Sequence, residues 1–104
     1  MEQYIKKSAI VAEIRRYIKS AEAFLKYHHN KKDRLCYSLE HQRLTMCELL
    51  SFLDTLDVKD VDLEAIVEEA FDKYSSVDGY GQLVASFNRA ELYSFVKKIA
   101  RGGE

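Results

Sequence analysis

The chain contains no proline and no tryptophan, only four glycines in 104 residues, and two cysteines. Each scarcity excludes something. The glycines are Gly79, Gly81, Gly102 and Gly103, so residues 1–78 carry neither of the two strong helix breakers. That favours an all-helical protein. No run of about 18 apolar residues occurs, so the sequence predicts no membrane-spanning helix. The opening stretch MEQYIKKSAIVAEIRRY has no continuous apolar segment and no small-residue cleavage site, and is not read as a secretory signal. Cys36 and Cys47 fall eleven residues apart, about 16 Å along one helix, whereas a disulfide needs Cα atoms within about 7 Å. Unpaired thiols fit a reducing cytoplasm, which is the expected location.

What is present is a mixture of 47% hydrophobic and 32% charged residues, the composition of one soluble globular domain over 1–104. The net charge of −1 hides a strong asymmetry: residues 1–34 sum to +5, 35–86 to −8 and 87–104 to +2. Such segregation points to segments that attract one another within the fold or across a dimer. The rival meaning is a nucleic-acid arm.

Hydrophobic spacing predicts four helices. The first spans about 8–29, capped by Ser8, with Ile10, Ile14, Tyr17, Ala21, Phe24 and Leu25 on one stripe. The second spans about 34–56 behind Asp33, with Leu35, Leu39, Met46, Leu49, Leu50, Leu53 and Leu56 as its main stripe. The short connection, with Asn30 as a C-terminal residue, forces an antiparallel hairpin. The third helix, about 63–75, has Asp62 as cap and Val61 with Ile66 as a hydrophobic staple. The fourth, about 89–101, opens with an Asn88/Glu91 capping box and a Phe87–Leu92 staple, and stops at Gly102-Gly103. Residues 1–7 read as prone to fray, and 76–87 as a loop in which Leu83-Val84 is at most one short extended stretch. The expected fold is thus a small all-α bundle: an antiparallel hairpin plus two shorter helices.

The segment YHHNKKDRLCYSLEH, residues 27–41, concentrates ligand-type side chains. Zinc needs ligands that converge tetrahedrally. Cys36 and His41, five apart, diverge by about 140° around a helix, and His28 and His29 also point apart. No metal site is expected. His28 continues the apolar stripe of the first helix and is expected to be half-buried at the hairpin tip. The acidic run DTLDVKDVDLE fails the calcium-loop register: counted from Asp60, Ala65 stands where glycine is required and Phe71 where glutamate is. No phosphate-binding loop, GxSxG, HExxH or CxxC occurs. Neither a catalytic site nor a cofactor is expected, and the chain reads as non-enzymatic.

Two interaction surfaces remain. Tyr37, Leu44 and Phe52 lie roughly 180–260° around the second helix from Leu35, outside the stripe that the first helix can cover. They are the candidate protein interface, through which a homo-oligomer is expected. The alternative is a nucleic-acid-associated accessory protein using Lys6, Lys7, Arg15, Arg16 and Lys19. The third helix, LEAIVEEAFDKYSS, would be the recognition helix of a helix-turn-helix, but its acids repel phosphate.

SAIVAEI and SFLDTLDVKDVDLE, within residues 7–64, and more loosely ELYSFVKKIAR at 91–101, resemble segments of small uncharacterised helical proteins of Bacteroides-type gut bacteria and their phages or mobile elements. The resemblance implies a bacterial cytoplasmic setting. It carries no activity, and in similar sequences the last helix runs several turns further.

Overall fold

The computed structural model describes residues 4–28, 34–75, 83–84 and 87–101. Four helices dominate it: α1 (Lys7–Tyr27), α2 (Arg34–Asp54), α3 (Leu63–Ser75) and α4 (Arg89–Ala100). The expected all-α bundle is present, with one addition. Two three-residue strands, β1 (Tyr4–Lys6) and β2 (Asp60–Asp62), pair antiparallel with Ile5 opposite Val61 and Lys6 opposite Asp60.

The ribbon changes how α1 begins. Ser8 was the expected cap, but the helix starts one residue earlier and Lys6 holds the N-cap position without a side-chain bond. The Lys7 amide instead donates to the Lys59 carbonyl at 2.7 Å, so backbone from the α2–α3 connection takes the role of a cap. Residues 4–7, read in the sequence as prone to fray, are therefore tied to the body by strand pairing.

The other boundaries follow local chemistry. α2 ends at Asp54, and the Thr55 hydroxyl closes on the Phe52 carbonyl at 2.6 Å. The Glu64 amide donates to the Asp62 carboxylate at 3.1 Å, and the staple partners Val61 and Ile66 are both buried. At α4 the capping box is complete: the Glu91 amide donates to Asn88 Oδ1 at 2.8 Å and the Asn88 amide to Glu91 at 3.3 Å. Leu83 and Val84 are helical, not extended, and the Phe87 amide donates to the Leu83 carbonyl at 3.2 Å. Asn30, Asp33, Gly102-Gly103 and the remainder of the 76–87 segment lie outside the described residues.

α1 packs on α2 along the hairpin and on α4, and α4 packs on α3. α3 returns to α2 through side chains: the Tyr74 hydroxyl donates to the Glu48 carbonyl at 2.9 Å, and Lys73 sits over the Phe52 ring. α1 and α3 thus occupy diagonal corners. Between them lies one core that includes Ile10, Ile14, Met46, Leu49, Leu53, Val67, Leu92 and Val96. Thr45 is the one buried polar side chain among the described residues, and its hydroxyl is satisfied by the His41 carbonyl at 2.8 Å.

Candidate interaction surface

Helix length decides where the core stops. At 1.5 Å per residue the 21-residue helices α1 and α2 are about 31 Å long. α3 has 13 residues and α4 has 12, about 20 Å and 18 Å. Two short helices cannot cover two long ones, and the hairpin protrudes by the difference. The burial pattern shows the consequence. No described residue between Glu22 and Leu44 is buried, whereas Ala21 and Thr45, on either side of that stretch, are 3% and 0% exposed. Residues 22–28 and 34–44 form a two-helix arm standing on the four-helix body.

The arm is held by its own seam. Phe24, Leu25 and Leu39 are half-buried, and the His28 ring lies against Phe24 with centroids 4.3 Å apart. The Cys36 thiol, half-buried, faces the His28 carbonyl at 3.7 Å. Arg43 bridges the helices at the arm's base, pairing with Glu40 and, at 3.6 Å, with Glu22. The Glu40 hydrogen bond raises the Arg43 pKa further, keeping the guanidinium charged. At the junction with the body, the Tyr17 hydroxyl donates to Gln42 at 3.0 Å while its ring meets Phe95 edge-on at 5.4 Å. Burial pushes the Tyr17 phenol above its ordinary range.

The arm exposes what a longer bundle would cover. Tyr27 is 86% exposed, Tyr37 66% and Leu35 60%. Leu35 is the correction to the expected core stripe of α2: it has the right azimuth, but among the described residues none covers it. The expected interface set is divided. Tyr37 is exposed, Leu44 is half-buried, and Phe52 is a core residue at 5% exposure beneath α3. Phe52 therefore cannot belong to an outward face, because an intramolecular helix already covers it. Tyr27 was missed: its position on α1 falls off the apolar stripe, and only its height beyond α4 gives it significance.

The basic set is divided as well. Arg15, Arg16 and Lys19 are exposed on the outer face of α1. Arg16 pairs with Glu13 at 3.3 Å. Lys6 and Lys7 lie at the other end, beside a groove of about 530 Å³ that Lys59, Asp54 and Asp60 also line. The Lys7 ammonium donates to the Leu56 carbonyl, and the two carboxylates offset much of the remaining charge. Of the ligand-type residues, His28 is half-buried and His41 exposed, and His29 lies outside the described residues. Among the described residues no three His, Cys, Asp or Glu side chains converge as a metal site would require. Among the same residues no helix is long and apolar enough to cross a membrane.

Family models, curated proteins and solved structures give no match to this chain.

Proposed function

We propose that this chain is a non-enzymatic contact module of the bacterial cytoplasm that works by binding protein, with a second copy of itself as the partner. One observation carries the reading: three large apolar or aromatic side chains, Tyr27, Leu35 and Tyr37, stand at 60% exposure or more on an arm with no buried residue of its own. Leu35 and Tyr37 project about 200° apart around α2, so the arm presents large apolar groups on two sides, and exposed apolar groups gathered in this way mark interaction sites. Two such arms laid face to face make a four-helix bundle, the arrangement that the body already uses.

Sedimentation of the wild type and of Leu35→Glu/Tyr37→Glu tests this. The expected result is a wild type whose mass rises with concentration and a folded double variant that stays monomeric. A wild type that remains monomeric at high micromolar concentration overturns it. The competing proposal, a nucleic-acid accessory protein, draws support from the exposure of Lys6, Arg15, Arg16 and Lys19. It is weakened by the inward turn of Lys7.

A further inference from the structure

The charge asymmetry of the sequence is only partly resolved inside the molecule, where Arg89 takes Glu68 and Asp72. α1 and α3 sit at diagonal corners, and their outward faces carry opposite charge. On α1, Ala12, Arg15, Arg16, Lys19 and Ala23 are exposed together, within about 100° of azimuth. On α3 the exposed residues are Glu64, Ala65, Glu68, Glu69, Asp72 and Lys73, with Lys73 at the edge where it lies over the Phe52 ring. The ion pairs that form do not join these two faces. Arg16 is taken by Glu13, and Glu68 and Asp72 share Arg89, at 3.0 and 3.2 Å. Arg15 and Lys19 on one corner, and Glu64 and Glu69 on the other, have no ion-pair partner among the described residues.

Arg15 and Lys19 are four residues apart, about 6 Å along the axis and about 40° around it, whereas Glu64 and Glu69 are five apart, about 7.5 Å along and about 140° around, on the two flanks of the acidic face. Ala12 and Ala23 flank the charges on α1, and Ala65 is exposed among those on α3. Within one chain the faces cannot meet, because the bundle separates them.

We infer that the α1 face of one copy docks on the α3 face of another, giving a heterologous, head-to-tail contact distinct from the apolar arm. The occupant is a second copy because both halves of the complementary pair are on the same molecule. A heterologous contact repeats from copy to copy, so the product is a chain or ring rather than a closed dimer. Its strength falls with salt, since every pair in it is solvent-exposed. Association through the apolar arm does not fall with salt. The inference goes beyond the proposed function and stands or fails separately from it.

The test is sedimentation velocity in two salts, about 10 mM and about 1 M, where the Debye length is about 30 Å and about 3 Å. The protein is the full chain in the Leu35→Glu/Tyr37→Glu background, which removes the arm contact. The expected result is concentration-dependent growth in mass at low salt, on the order of tenfold weaker at high salt. Arg15→Glu/Lys19→Glu makes both corners acidic, and Glu64→Lys/Glu69→Lys makes both basic. Each set alone is expected to abolish the growth, and an equimolar mixture to restore it. Circular dichroism checks that all variants keep the wild-type helicity. A background protein that stays monomeric at low salt overturns the inference, as does a corner variant that still associates alone. So does a monomer that binds duplex DNA through Arg15 and Lys19, because the basic corner would then serve phosphate.

Discussion

The two halves of the hairpin differ in what surrounds them rather than in what they are made of. Between Lys7 and Ala21, and again from Thr45 onward, an apolar side chain on the inner azimuth is buried against α3 or α4: Ile14, Met46 and Leu49 are at 0%. Between Glu22 and Leu44 the same azimuth is populated by the same kinds of residue, yet Leu35 is 60% exposed. Amphipathic patterning says which way a side chain faces. It does not say whether a neighbour extends far enough to meet it. The body is stabilised by its core, and the arm is left exposed.

The largest effect that would break this contrast is a cavity in the body. Leu49→Ala removes a fully buried side chain and is expected to lose about 2–5 kcal/mol in chemical denaturation. Leu35→Ala, the same chemical change on the arm, is expected to stay within about 0.5 kcal/mol. Equal losses at the two sites would mean that the arm is packed after all. Next comes the cap that fixes α4 against α3. Asn88→Ala removes the acceptor for the Glu91 amide and is expected to lower stability by about 1 kcal/mol in the same measurement.

Alkaline titration probes the junction between arm and body. Burial raises the Tyr17 pKa from its ordinary value of 10.0, so the folded state disfavours phenolate. A raised folded pKa contributes stability that is fully present below the unfolded value, and that stability is lost as pH rises through the folded value. The melting temperature is therefore expected to fall as pH rises above about 10, and Tyr17→Phe to reduce that fall. Tyr74 is raised for the same first reason, burial, with the Glu48 charge adding to it. Tyr74→Phe should reduce the remainder. The smallest effect is on the arm itself: Tyr37→Glu alone is expected to leave the melt within about 0.5 kcal/mol while weakening self-association.

Much of this fold was legible because the signals were local. Asn88 with Glu91, and Asp62 ahead of α3, marked helix starts that the structure places at Arg89 and Leu63. Both caps work within three residues of chain. Ser8 failed as a cap for the opposite reason: Lys7 takes its backbone partner from Lys59, more than fifty positions away. The β1–β2 ribbon was invisible for the same cause, since three residues such as YIK or DVD carry no periodicity of their own. Of the candidate interface, Tyr37 is exposed, but so is Leu35 on the other side of the same turn. Phe52 shares the general side of Tyr37 but sits lower, where α3 covers it.

What the sequence determined by itself is azimuth and extent. The absence of proline and early glycine, the spacing of apolar residues and the caps settle that four main helices form, about how long they run and which side of each is apolar. These depend on bonds and contacts within one or two turns. What only the tertiary structure decided is height. It sets how far α3 and α4 climb along the hairpin, and so which apolar residues become core. It also sets the basic face of α1 and the acidic face of α3 at opposite corners. That depends on contacts between helices far apart in the chain, which no local pattern encodes.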